Sequence, residues 1–299
     1  MSKIKILIIC ILFLFAFIIG FKNLNKPQPL KNTINKVIPK PSITFIKNTV
    51  VSLLKDKVEQ ALSGTEGTYG VAIKNFKTGE SFNLNEHKVF IAASLYKNWI
   101  MAETFNQISK GDINEDQILS QSISVLNDEF NISEEDAELK EGTVTMRVKE
   151  ALEKMITVSD NYAALLLSEK IRFSRVSSYL QKHGFNESSL GVPPKTTVYD
   201  MALFYEKLYK GELADQVYTT KMLDLLKKQQ RKGGLPKYLP LNTEIAHKTG
   251  ELGSVKHDGG IVFSNRGDYI IVVMSETGSQ SAAAERIANI SKTVYEYFN

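Results

Sequence analysis

The sequence predicts an α+β fold: an antiparallel sheet flanked by the N- and C-terminal helices, with a mainly helical subdomain set between its early and late strands. Three observations carry this. Strand-like alternation with hairpin turns occurs at residues 69–84 and again at residues 244–274. Between them, apolar residues recur at three and four. An amphipathic helix precedes the first strands and another follows the last, so both must cover one face of a sheet built from both ends of the domain.

Taken in order, residues 1–21 read as a membrane anchor or signal. Residues 4–20, IKILIICILFLFAFIIG, are broken only by Lys5, an apolar stretch at the short end of what spans a bilayer. The following GFKNLNKPQP lacks a small-x-small cleavage pattern, which favours an uncleaved anchor. Lysines flank both ends, so charge alone does not orient it. Cys10 follows Ile9 rather than a small residue, which argues for a plain apolar membrane residue over a lipid-modified one. Residues 22–45 form a tether, with Pro27, Pro29, Pro39 and Pro41 punctuating a Lys- and Asn-rich stretch.

The domain proper is expected over residues 46–299. Val50, Leu53, Leu54, Val58, Ala61 and Leu62 mark a helix over 46–62 that stops at Gly64. Tyr69, Val71 and Ile73, the turn KTGE at 77–80 and residues 81–84 form a hairpin. Helices are expected at 94–108, 145–156, 161–171, 175–182, 198–209 and 221–229. Strands return at 244–248, 259–264 and 269–274, the last two joined across Asn265-Arg266-Gly267-Asp268. A helix over 282–298 closes the chain. No internal repeat and no low-complexity block follows residue 45.

Composition narrows the chemistry. The chain has 37 Lys plus Arg against 33 Asp plus Glu. Seven of those lysines and no acid lie in residues 1–45, leaving 30 basic against 33 acidic residues in the domain. A domain of that balance does not bind nucleic acid through charge. The single cysteine excludes an intramolecular disulfide and a cysteine zinc site. The four histidines form no H-E-x-x-H arrangement.

Nucleophile signals are more specific. S-x-x-K occurs at Ser2/Lys5, Ser52/Lys55 and Ser94/Lys97. The first pair lies at the anchor and the second on an ordinary amphipathic face, whereas Ser94 follows VFIAA and is expected to open a helix. A serine there sits among free backbone N–H groups, which suits an oxyanion hole, although taken alone it reads more readily as a plain N-cap. Lys97 lies one turn on. Burial would lower its pKa, and the neutral amine could take the Ser94 proton.

Ser159-Asp160-Asn161 occurs once, between two helical runs, where it also reads as a capping sequence. Lys-Thr-Gly occurs at 77–79, as a polar turn, and at 248–250, continuing a strand after Ile245 and Ala246. No G-x-S-x-G elbow accompanies His247 or His257, so a Ser-His-Asp enzyme is not indicated. His257-Asp258 is expected as a strand-start pair, and Tyr96 and Trp99 as core packing.

Together, in this order and with separations of 65 and 89 residues, S-x-x-K, S-D-N and K-T-G resemble the class A β-lactamase family of penicillin-recognising serine hydrolases. The segments MITVSDNYAALLL, TTVYDMALFYEKL, LPLNTEIAHKTGELG and HDGGIVF concur. The resemblance covers residues 46–299 and implies a β-lactamase-like fold. It further implies that Ser94 is acylated, that Lys97 is its base or proton relay, and that Ser159 protonates the departing nitrogen. Asn161 would bond the substrate's amide side chain, and Lys248 with Thr249 would receive its carboxylate. Gly250 would let the strand lie close to the substrate, and the backbone N–H groups of Ser94 and Glu251 would form the oxyanion hole.

One departure stands out. Class A members carry Glu-x-x-Leu-Asn between the last two motifs, and its glutamate activates the deacylating water. Here the stretch reads HGFNESSLGVPPKTTVYD. Glu187 and Leu190 imitate the motif, but Gly191 replaces the asparagine. FNESSL aligns better with the segment ahead of the missing loop, and a long-lived acyl-enzyme is expected. Glu251 is a substitute base only if its carboxylate does not simply point to solvent. The expected activity is β-lactam hydrolysis, with a D,D-peptidase-like or esterase-like action on cell-wall substrates as the alternative and a non-catalytic envelope binding protein as a third. The protein is expected to be an extracytoplasmic monomer without metal or organic cofactor.

Overall fold

The computed structural model describes residues 43–299, with side chains from residue 53 onward. The expected anchor, and the expected linker up to residue 42, lie outside the described residues. Among the described residues, no helix is long and apolar enough to cross a membrane.

The chain forms α1 (Ile43–Leu62), β1 (Thr68–Asn75), β2 (Ser81–Leu84), β3 (Phe90–Ile91), a 3-10 turn (Ala93–Tyr96), α2 (Lys97–Ser109), β4 (Ile118–Ser122), α3 (Ile123–Glu129), β5 (Thr143–Arg147), α4 (Val148–Thr157), α5 (Asn161–Ile171), α6 (Phe173–Lys182), β6 (Lys195–Thr196), α7 (Val198–Tyr209), α8 (Gln216–Lys227), β7 (Glu244–Leu252), β8 (Val255–Phe263), β9 (Tyr269–Glu276) and α9 (Gln280–Phe298). The main sheet has five strands in the order β2-β1-β9-β8-β7, antiparallel throughout. β1 pairs β9 from Thr68 opposite Glu276 to Asn75 opposite Tyr269, so early and late strands do close one sheet.

Alternation along β9 decides which layer each side chain joins. Tyr269, Ile271 and Val273 pack with Leu54 and Val58 of α1 and Ile287, Ile290 and Val294 of α9. Ile270, Val272 and Met274 pack into the other core, which holds Met201, Phe204 and Tyr205 of α7 and Trp99 of α2. A strand covered on both faces has no polar side, hence the run YIIVVM. Trp99 is fully buried and Tyr96 packs against the same core.

Several boundaries differ from expectation. α1 begins at Ile43, inside the expected linker. Ser94 does not open a helix: it lies in the 3-10 turn, and α2 begins at Lys97. The expected helix over 145–156 begins only at Val148, because residues 143–147 pair with β4 as a small ribbon. Arg147 then caps α4, its N–H donating to Glu150 Oε2 at 3.1 Å. α8 starts at Gln216 rather than 221, after Asp215 accepts from the Tyr218 N–H. His257 and Asp258 lie within β8 rather than at a strand start.

β7 and β8 approach closely at Gly260, where a Cβ would lie 2.4 Å from the Ala246 carbonyl oxygen and 2.6 Å from the His247 Cβ. No side chain fits there. β7 is also the sheet's edge strand, so its outer backbone groups are left without a strand partner on the side that meets the Ser94 turn.

Candidate active site

Three local structures converge on one cleft of about 700 Å³ between the main sheet and the helical subdomain. The first is the Ser94 turn. Ala93 is held at φ +44, a left-handed conformation that costs a side-chain-bearing residue about 1–3 kcal/mol and is maintained only by its surroundings. Those surroundings are visible: the Ala92 N–H donates to Pro194 O at 2.8 Å, and β3 pairs with β6. His257 Nδ1 accepts from the Ser275 N–H at 3.1 Å, so its Nε2 carries the proton and donates to Ile91 O at 2.8 Å. Burial pushes the His257 pKa down to about 4 and keeps the ring neutral.

The second is the α4–α5 junction. Ser159 has φ +65, which reverses the chain after α4, and Asp160 then caps α5 by accepting from the Ala163 N–H at 2.8 Å. The capping reading of Ser-Asp-Asn therefore holds for its middle residue, while its two neighbours face the lysines.

The third is β7. Gly250 packs tightly: a Cβ there would meet Ala92 O at 3.2 Å and the Leu95 N at 3.3 Å. The missing side chain lets β7 lie against the Ser94 turn.

The lysines are the electrostatic centre. Lys97 and Lys248 are both fully buried. Lys97 Nζ donates to Ser159 O at 2.6 Å, Asn161 Oδ1 at 2.6 Å and Ser159 Oγ at 3.3 Å. Lys248 Nζ donates to the same Ser159 Oγ at 2.9 Å and to Thr249 O at 2.9 Å. Desolvation brings the Lys97 pKa down to about 7, against the opposing pull of Asp160 and Glu138. Lys248 is held well below the ordinary lysine range, by desolvation first and by the neighbouring Lys97 second. A lysine poised near neutrality supplies an amine that can accept a proton.

Ser94, Ser159, Asn161, Thr249 and Glu251 line the cleft, while Lys97 and Lys248 stand behind its wall. Ser94 is half-buried, and the hydrogen bonds of Lys97 go to Ser159 and Asn161 rather than to it. Asn161 is engaged at both ends, because its Nδ2 also donates to Glu138 Oε1 at 2.6 Å; each end retains one further hydrogen-bonding position.

Glu251 does not point freely to solvent. Its carboxylate accepts from Arg231 Nη1 at 2.6 Å and from Lys256, and Lys256 holds its pKa below the usual range. Glu187 is absent from the lining; its carboxylate is bound by Thr197 Oγ1 at 2.7 Å and by His87 Nδ1 at 2.8 Å. His247 pairs with Asp258 at 2.8 Å in the sheet interior and takes no part in the cleft.

Sequence reasoning missed several lining residues. Glu138 and Leu139 come from the acidic loop SEEDAELKEG, Thr143, Val144 and Thr145 from β5, and Arg231 from the loop after α8. The only signal for Arg231 was a basic run, KKQQRKGG, a short distance ahead of the Lys-Thr-Gly strand.

Comparison with known proteins agrees with this fold. A model described as the beta-lactamase enzyme family matches residues 53–298. The extended-spectrum beta-lactamase PER-1 of Pseudomonas aeruginosa is 24% identical over 285 residues, covering 82% of this chain and 87% of that protein. The crystal structure of a beta-lactamase from Sphaerobacter thermophilus superposes with a TM-score of 0.73 at 23% identity, over 83% of this chain and 97% of that one. A variant of PBP-A, captured as an acyl-enzyme complex with penicillin-G, superposes with a TM-score of 0.71 at 23% identity, over 88% and 99%.

Proposed function

The chain belongs to the beta-lactamase enzyme family, and from that premise we propose that it is a serine hydrolase acylated on Ser94 by β-lactams, which it then releases slowly. The observation that carries this reading is the Ser159 hydroxyl bonded by two buried lysines, one with a pKa of about 7, in the wall of the cleft that Ser94 lines.

In this mechanism neutral Lys97 takes the Ser94 proton as Oγ attacks the lactam carbonyl. The developing oxyanion is received by the backbone N–H groups of Ser94 and Glu251. The carbon–nitrogen bond breaks, the nitrogen takes the Ser159 hydroxyl proton, and that proton is replaced from the lysine ammonium beside it. Asn161 and Thr249 orient the substrate.

Release of the acyl group needs a water and a base. The carboxylates lining the cleft are Glu138, Asp160 and Glu251. All three are engaged, by Asn161, by the α5 N-terminus, and by Arg231 with Lys256. This favours a long-lived acyl-enzyme and supports the second reading, a D,D-peptidase-like or esterase-like action on cell-wall substrates. The third reading, an idle binding protein, is disfavoured physically: two fully buried lysines are costly to desolvate and return little to a scaffold that performs no chemistry. An extracytoplasmic, membrane-anchored monomer is part of the proposal; the apolar run at residues 4–20 supports the anchor, and the cell-wall or β-lactam substrates of the proposed chemistry favour the outer side.

The test is incubation with a fluorescent penicillin and a chromogenic cephalosporin beside Ser94→Ala. Labelling with colour supports hydrolysis, and labelling without sustained colour supports slow release. Signals no greater than those of the variant overturn the assignment.

A further inference from the structure

The cleft contains a carboxylate where a substrate carboxylate is expected to need a cation. Lys248, the expected anion receptor, is fully buried and its ammonium is committed to Ser159 Oγ and Thr249 O. The cleft lining holds two cations, Lys154 and Arg231, and of these Arg231 lies close enough to depress both buried lysines.

The backbone that carries Arg231 is firmly placed. Gln229 Nε2 donates to Ile156 O at 2.7 Å, the Gln230 N–H to Thr157 O at 2.8 Å, and the Arg231 N–H to Gln229 Oε1 at 3.0 Å. The loop is thus stitched to the end of α4, immediately ahead of Ser159. Glu251 belongs to the opposite wall, on β7 just past the Lys-Thr-Gly motif. The 2.6 Å Arg231–Glu251 bond therefore crosses from one wall to the other. On its far side Glu251 is held by Lys256, its cross-strand partner in β8.

We propose that Glu251 is a specificity-determining residue that occupies the anion position of Arg231, so that a substrate carboxylate must displace it, with Lys256 retaining the displaced side chain. The arrangement is an exchange of one carboxylate for another on the same guanidinium. It selects against weakly bound anions, and it admits only ligands whose other contacts, along Asn161 and Thr249, outweigh the pair they break. A charge pair of this exposure shifts such an equilibrium only severalfold. Lys256 sets the balance: with it, Glu251 has a second cation to rest on, and without it Glu251 bears only on Arg231.

This rests on the cleft being the ligand site, so the test reads non-covalent binding and leaves acylation to the labelling experiment. Ser94→Ala is titrated with benzylpenicillin and with its methyl ester, alone and combined with Glu251→Gln or Lys256→Gln, by calorimetry at low salt. Glu251→Gln should raise the acid-to-ester affinity ratio about fivefold, and Lys256→Gln should lower it. A ratio that stays within a factor of two or falls in Glu251→Gln overturns the proposal, as does a rise in Lys256→Gln or no binding of the acid to any of the three. Labelling of the unsubstituted protein, scored separately, keeps the hydrolase reading standing or falling on its own result.

Discussion

Lys97 and Lys248 donate to the same oxygen, Ser159 Oγ, at 3.3 and 2.9 Å. Two buried ammonium groups on one hydroxyl repel each other, so the pair is relieved when one loses its proton. Under the proposed mechanism, Ser159 is the group through which that proton travels.

A pH profile follows. With its pKa lowered to about 7, Lys97 is a neutral amine above that pH and an ammonium below it. Acylation should rise through an acid limb near pH 7, and Lys97→Met should reduce it by about 10²–10⁴-fold on the plateau above that limb and remove the limb itself, measured by stopped-flow with a fluorescent penicillin. Stability carries the same signature. Between pH 7 and 9 the unfolded chain keeps the Lys97 proton that the folded chain has lost, so stability rises with pH, and that rise should shrink in the variant by urea denaturation.

Glu187 tests the deacylation argument. Because Thr197 and His87 hold its carboxylate outside the cleft, Glu187→Gln should change both acylation and release less than twofold. A loss of turnover beyond tenfold, with acylation intact, would restore it as the base.

Glycine substitutions should separate packing from positioning. At Gly260 an added methyl meets backbone at 2.4 Å, so Gly260→Ala should cost about 3 kcal/mol. At Gly250 the contacts are 3.2–3.3 Å, and Gly250→Ala should cost about 1 kcal/mol while slowing acylation roughly tenfold by moving the Ser94 turn. Thermal melts beside acylation rates decide it. Equal losses of activity relative to stability at both sites would sink the distinction.

His257 predicts acid sensitivity. Its folded pKa of about 4 lies below the ordinary 6.5, so the unfolded chain binds the extra proton first. Stability from this residue is fully present above pH 6.5 and falls by about 3 kcal/mol as pH drops toward 4. His257→Gln should flatten that fall in denaturation midpoints, even if it lowers stability at pH 7.

How much was legible beforehand depended on how far each residue's environment follows from its neighbours in sequence. Ser159 and Asn161 sit at fixed offsets around a helix cap, so a local pattern found them. β9 declared itself through an unbroken apolar run. Glu138 and Arg231 were illegible because their loops have the composition of solvated surface, and only the folded walls turn them inward. The end of β5, residues 145–147, was misread as the start of α4, since so short a stretch around Met146 suits either period, and β4 was not read as an element at all. Gly250 was reached through the resemblance carried by Lys-Thr-Gly, and only the edge position of β7 shows that the Ser94 turn also presses against it.

The pairing of β1 with β9 also bears on how the molecule is made. A chain emerging from its N-terminus exposes residues 68–75 long before residues 269–276 exist. Until synthesis is nearly finished, the open flank of that early hairpin has no lawful partner and is free to zip with a neighbouring nascent chain. Production at low temperature, or with an unfolded-chain chaperone alongside, should therefore improve soluble yield more than any adjustment near Ser94.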